Sequence, residues 1–236
     1  MYSYEMNAGY SVMDEAFQMK IPALLDCFQD AAIFEAENAS KINTKYLNEK
    51  NLVWLLSSWQ IVIDRRPRLN EHIKITTIPY DFKGFLGYRN FTIEGADKAV
   101  IVKAASIWTL IDTTRMMPAK PTQELMDGYP LSEPIAMDYA PRKIAILGEG
   151  VEQEPFPVRK DQIDSNRHVN NVEYVRMALE FADAPKQIRE LRVEYKKAAH
   201  FGDLIVPIVY TCEGKMQVQL KDTQGGLFAR VEFTLR

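Results

Sequence analysis

The chain has 236 residues, 47% hydrophobic and 26% charged, which excludes disordered and collagen-like classes and allows one large or two small globular domains. Its formal net charge of -3 gives no global attraction to nucleic acid. The two cysteines, Cys27 and Cys212, have no zinc-ligand spacing, so packed, reduced thiols and no metal or other cofactor are expected.

The start, MYSYEMNAGY, lacks a basic segment followed by an apolar run, and KAVIVKAASIWTLI is broken by lysine well short of a membrane span. A cytoplasmic protein with no membrane partner is the expectation. Strand-like residues 2 to 12 lead into IPALLDCFQDAAIFEAE (21 to 37), which contains no glycine and repeats Leu24, Leu25, Phe28, Ala31, Ala32 and Phe34 at helical spacing. Pro22 sits near its start, where proline is tolerated, so the spacing predicts one amphipathic helix. NLVWLLSSWQIVID, HIKITTIPY, LGYRNFTIEG and AVIVKAASIWTLID, rich in β-branched and aromatic residues between Pro, Gly and Asn signals, predict four strands.

Seven of the 12 prolines then fall between residues 113 and 157, which disfavours long helices and central strands and predicts an extended linker. Beyond it the order returns in shorter form: a strand near 156 to 160, a helix over 171 to 182, and strands at IRELRVEYKK, LIVPIVYTC, KMQVQLKD and LFARVEFTLR. Adding 132 carries Trp59, Ile61, Ile63, Leu69, Asn70, Glu71 and Ile73 onto Leu191, Val193, Tyr195, Phe201, Gly202, Asp203 and Ile205, apolar onto apolar and turn onto turn. The chain therefore reads as a duplication, with modules at 1–125 and 155–236 joined by a proline-rich linker at 126–154. A helix followed by antiparallel strands predicts an α+β layer in which a curved sheet wraps its helix.

The densest polar cluster is DQIDSNRHVNNVEY, residues 161 to 174. Asp164, Asn166 and His168 are two apart, so an extended arm would put all three side chains on one face, whereas a helix would turn Asn166 away. Asn170 or Asn171 can cap the helix that follows, and its first N–H groups and positive dipole end would offer an oxyanion site beside the three residues. The other histidines, His72 and His200, read as solvent-facing turn residues. No G-x-S-x-G, Walker, G-x-G-x-x-G or H-E-x-x-H motif is present, which leaves cofactor-free hydrolysis open.

N-R-H-V-N-N-V-E-Y-V, with Asp164 and Asn166 in front and Glu180 behind, resembles the D-x-N-x-H-x-N-N-x-x-Y signature of the acyl-acyl-carrier-protein thioesterases. NLVWLLSSWQIVIDRRP and ASIWTLID resemble stretches of the same family, in the same order and over nearly the whole chain. The resemblance implies a double hotdog fold, two antiparallel sheets each wrapped around a central helix to form one pseudo-dimer. It also implies hydrolysis of fatty acyl-acyl carrier protein to free fatty acid, with Asp164, Asn166 and His168 catalytic and the first module holding the acyl chain. The chain departs from the plant members: Tyr195, Lys196, Lys197, Ala198 and Ala199 stand where they carry Y-R-R-E-C, Met177 replaces a tryptophan, and the plastid extension is missing, which points to a bacterial type.

With no cysteine nucleophile at Ala199, Asp164 becomes the candidate to activate water or to attack the thioester directly. Leu24, Phe28, Trp54, Trp59 and Trp108 are candidates to line an acyl pocket, and Arg65, Arg66, Arg68, Lys196 and Lys197 to form a basic face for the acidic carrier. Acyl-CoA is the alternative substrate, and a non-catalytic acyl-thioester-binding protein the alternative class. Tandem fusion supplies the pairing that single modules obtain by dimerising, so monomer and homodimer both stay open.

Overall fold

In the computed structural model, residues 1–38, 40–182 and 187–236 are described. The first half contains β1 (Tyr2–Asn7), α1 (Ile21–Asn38), α2 (Thr44–Glu49), β2 (Leu52–Ile63), β3 (His72–Lys83), β4 (Leu86–Glu94), β5 (Val100–Asp112), β6 (Met117–Pro118) and α3 (Gln123–Asp127). The second contains β7 (Val151–Glu152), β8 (Phe156–Pro157), α4 (Asn171–Leu179), β9 (Ile188–Tyr195), β10 (Leu204–Cys212), β11 (Lys215–Lys221) and β12 (Leu227–Leu235). The chain divides into two compact units, Met1–Ser57 with Ile63–Tyr139, and Ser58–Val62 with Ala140–Arg236.

In the first unit β1, β3, β4 and β5 pair antiparallel in that order. Alternation along β3 and β4 buries Ile73, Ile75, Phe91 and Ile93 completely, and α1 presents Leu24, Leu25, Phe28 and Ala31, all 0% exposed. Phe28 and Phe91 meet with ring centroids 5.2 Å apart, one contact of the helix-in-sheet core. Each such side chain contributes about 1.5–3 kcal/mol by leaving water. Pro79 is accommodated inside β3 because the β3–β4 register slips between Pro79 and Asp81.

In the second unit residues 58–62 of β2 pair with β9, followed by β12, β11 and β10, all antiparallel, with β7 and β8 adding two residues each to β10. Helix α4 buries Val172, Tyr174, Val175, Met177 and Ala178. All eight long strands predicted from the sequence are present, as are both predicted helices, although α4 ends at Leu179 and the strand expected over 156–160 shortens to β8. The opening strand stops at Asn7 and gives way to a 3-10 turn at Tyr10–Val12.

Helices α2 and α3 have no counterpart in the sequence reading. Each has six residues or fewer, too short for a periodic signal, and depends instead on a cap: Asn43 accepts from the Tyr46 amide at 2.9 Å and Thr122 from that of Leu125 at 3.2 Å. Leu125 of α3 packs with Ile42, Leu110 and Tyr129 in a small buried cluster.

The proline-rich residues 113–157, expected to form an extended linker, contain α3 and the two-residue strands β6, β7 and β8, and parts of the remainder are strapped down. In the first unit Asn90, fully buried, accepts from the Ile135 amide and from the Tyr139 hydroxyl, and the Ser132 amide donates to the Pro79 carbonyl. In the second, Ala140, Ile144 and Ala145 are bonded through their backbone to buried Gln60, Glu194, Gln217 and Arg230. Among the described residues no helix is long and apolar enough to cross a membrane.

Candidate active site

The polar cluster of the second unit folds into a tight loop rather than the extended arm expected from its two-residue spacing. Ile163 and Val169 form an antiparallel bridge, and the residues between them close on the Asp164 side chain. Its Oδ1 accepts from the Asn166 amide at 2.8 Å and the His168 amide at 3.2 Å, while the Asn166 Nδ2 lies 3.4 Å from Oδ2. The Asp164 amide donates to the His168 carbonyl at 2.8 Å, and Arg167 takes the left-handed conformation, with φ of 63°, to complete the reversal. The loop thus brings Asp164, Asn166 and His168 together, but through an aspartate that orders their backbone and not through alternation along a strand. Asp164 and His168 are half-buried and Asn166 is exposed.

Asn170, and not Asn171, is the cap of α4: its Oδ1 accepts from the Val172 amide at 2.9 Å and its carbonyl from the Glu173 amide. Those two amides are therefore committed to the cap, which reduces what the helix start can offer an oxyanion. Asn171 is the first helical residue, and its carbonyl accepts from the Tyr195 hydroxyl at 2.9 Å.

The first unit contains the same loop 150 residues earlier. Met13 bridges Met19, the Asp14 amide donates to the Gln18 carbonyl at 2.8 Å, Asp14 Oδ1 accepts from the amides of Ala16 and Gln18, and Phe17 has φ of 54°. The neighbouring turn repeats at the offset of 132: the Met19 amide donates to the Pro67 carbonyl as the Val169 amide does to that of Ala199, and Asn70 and Gly202 share positive φ. The duplication therefore extends to individual backbone hydrogen bonds.

The side chains differ. In the first unit Arg66 donates from Nη1 to Asp14 Oδ2 at 2.9 Å. Burial opposes ionisation of Asp14, but the amides of Gln18 and Ala16, together with Arg66, hold its carboxyl below the usual range. In the second unit the position of Arg66 is Ala198, and the Gln18–Arg68 bridge becomes the pair His168 and His200. Their rings meet edge to face, with centroids 4.9 Å apart and planes at 84°. His200 is exposed, as its turn position suggests, but the sequence reading missed its contact with His168. Only the two offsets taken together, 150 on one segment and 132 on the other, would have placed them side by side.

Arg66 does not belong on a docking face, because it is 9% exposed and its charge is turned onto Asp14. Arg65 is held by Glu71 through both terminal guanidinium nitrogens, Lys196 by Glu194 and Lys197 by Asp222, while Arg68 is exposed. Of the candidate lining residues, Leu24 and Phe28 sit in the α1 core, and Trp54 stacks on Phe82 at 5.9 Å. Trp108 donates to Ser106, whereas Trp59 belongs to the segment of β2 in the second unit. Among the described residues no group of three His, Cys, Asp or Glu is placed to hold a metal ion.

Comparison with known proteins covers both units. The family model described as the acyl-ACP thioesterase N-terminal domain matches residues 1–129, and that of the C-terminal domain residues 148–231. A palmitoyl-acyl carrier protein thioesterase of Gossypium hirsutum is 23% identical over 83% of this chain and 49% of its own length. An acyl-acyl-carrier-protein hydrolase of Cuphea viscosissima is 25% identical over 75% and 47%. The chain thus spans about half the length of these curated relatives.

An acyl-ACP thioesterase structure from Bacteroides thetaiotaomicron superposes with a TM-score of 0.91 at 22% identity, covering 100% of this chain and 97% of that one. A 12:0-ACP thioesterase from Umbellularia californica gives 0.87 at 15%, covering 100% and 96%. These likenesses show the hotdog fold. With both of its domain models matched in order along the sequence, the chain belongs to the acyl-ACP thioesterase family.

Proposed function

We propose that the chain hydrolyses the thioester of fatty acyl-acyl carrier protein, releasing free fatty acid. One observation supports this reading above the rest: the aspartate loop occurs twice, and the second copy has lost the arginine that neutralises the first while gaining two imidazoles.

The chemistry asks for an activated water and stabilisation of the carbonyl oxygen, since a thiolate of conjugate pKa about 8.5 leaves readily. Asp164 is the general base. Its Oδ1 is pinned by two amides, so Oδ2 accepts the proton as the water oxygen bonds to the thioester carbon. The C=O electron pair moves to oxygen, then returns as the C–S bond breaks and the thiolate departs. Asn166 orients water beside Oδ2, and His168 donates toward the developing charge or the leaving sulfur. Trp54 and Trp108 of the first unit, both half-buried, offer apolar surface for the acyl chain, whereas Leu24 and Phe28 are sealed in the α1 core, and Arg68 offers a contact for the acidic carrier.

Asp164→Asn is the informative variant, because an amide oxygen still accepts from the loop amides but is no base. In free-fatty-acid release from acyl-acyl carrier protein, kcat should fall about 10²–10⁴-fold without loss of thermal stability. A folded variant with wild-type hydrolysis would remove Asp164 from the chemistry. Matched acyl-CoA substrates run alongside separate the carriers, and equal kcat/KM for both would leave only the coarser thioester hydrolase.

A further inference from the structure

We propose that His200 is a positioning residue of this site, one that fixes the His168 imidazole by edge-to-face ring contact. The role in catalysis rests on the hydrolase reading above; the contact itself does not.

The backbone of His168 is already fixed, its amide on Asp164 Oδ1 and its carbonyl on the Asp164 amide. Only the two side-chain torsions are left to place the ring. At a centroid separation of 4.9 Å and an interplanar angle of 84°, the positive edge of one imidazole meets the negative face of the other, which restricts both torsions. A contact of this kind positions only if its own support is rigid. The His200 amide donates to Asp203 Oδ2 at 2.9 Å, the Asp203 amide donates back to the His200 carbonyl at 3.1 Å, and Gly202 turns the chain between them at φ of 88°. The His200 Nδ1 lies 3.8 Å from the same Asp203 oxygen, beyond hydrogen-bond reach, so Asp203 fixes the backbone of the turn and the ring is placed by that backbone and by its contact with His168.

The first unit shows what this turn does when no imidazole is needed. Arg68 stands at the position of His200, with its amide on Glu71 as that of His200 is on Asp203, and it faces Gln18 at the position of His168. The bonds that Glu71 and Asp203 accept within the turn are kept, and both facing side chains have become imidazoles. A turn that served only to close the sheet would not require the two changes together.

The chain has only three histidines, His72, His168 and His200, so each imidazole signal in a two-dimensional NMR spectrum is assigned by deletion. His200→Ala is expected to move the His168 ring resonances toward those of a freely rotating histidine, and His200→Phe, which keeps an aromatic ring, to leave them displaced. In acyl-acyl carrier protein hydrolysis His200→Ala should lower kcat about tenfold with KM changed by less than about twofold, and His200→Phe should recover most of the loss. Unchanged His168 resonances in His200→Ala would overturn the contact. An unchanged kcat, or an equal loss in the Ala and Phe variants, would overturn the positioning role. If the wild type hydrolysed no thioester, the functional reading would fall while the NMR arm still decided the contact.

Discussion

Asp14 and Asp164 occupy the same position of the same loop, with the same amides on Oδ1. The neighbouring turn separates their fates, because Arg66 reaches Asp14 and Ala198 has nothing to reach with. Since the backbone bonds around the two turns correspond, an arginine at 198 should find Asp164 as Arg66 finds Asp14. An adjacent guanidinium lowers a carboxyl pKa by about 1–3 units, and a weaker base is a poorer proton acceptor. Ala198→Arg is therefore expected to lower kcat about 10- to 10³-fold while the melting temperature stays equal or rises. Full activity in the folded variant would show that the missing arginine does not distinguish the loops. The sequence made the three polar residues visible, but their two-residue spacing suggested an arm because it carries no trace of which oxygen accepts which amide. Arg66 was misplaced on a surface for a related reason: a run of charges says nothing about burial.

At the scale of elements, the strands were legible because alternation and β-branched composition persist over nine to thirteen residues in β2 to β5, whereas α2 and α3 rest on caps and a handful of tertiary contacts. The turn between β2 and β3 is another tertiary device. Glu71 accepts from both terminal nitrogens of Arg65 at 2.8 and 2.9 Å, and from the amides of Arg68 and Ala96. The Arg65 hydrogen bonds, outweighing the opposing effect of burial and joined by the two amides, bring its carboxyl from the ordinary 4.5 down to about 2. A depressed carboxyl pKa contributes stability that is complete above the ordinary value and is lost as pH falls through the folded one. Glu71→Gln should thus be less stable than wild type by about 2 kcal/mol at pH 7, with the gap closing between about pH 4.5 and 2. Urea unfolding at several pH values measures this, and a gap independent of pH would mean the charge of Glu71 is not what secures the turn.

For the molecule as a whole, the proline-rich stretch shows how a segment without regular pairing is fixed. In the second unit Arg230 donates from Nη1 to the Ile144 carbonyl at 2.8 Å and to Glu194 Oε2 at 3.1 Å, and the Ile144 amide donates to the same carboxylate. Gln217 holds the Ala145 carbonyl at 2.8 Å, and Arg192 reaches that of Lys143. Ile144 is 1% exposed, so the strap also buries an apolar anchor. Burial opposes the charge on Glu194, but the hydrogen bonds of Lys196 and the Ile144 amide keep its carboxyl below the ordinary range. It is therefore ionised at neutral pH, and removing Arg230 leaves a buried negative charge with less compensation and the Ile144 carbonyl short of a donor. Arg230→Met should cost about 3–5 kcal/mol and expose residues 140–146 to limited proteolysis. Adding Glu194→Gln removes the stranded charge and should restore part of the stability without restoring protection, because the Ile144 carbonyl still lacks its donor. If instead the single variant melts with the wild type and resists protease, Ile144 and the backbone geometry of the prolines, rather than the buried ion pair, hold the strap in place.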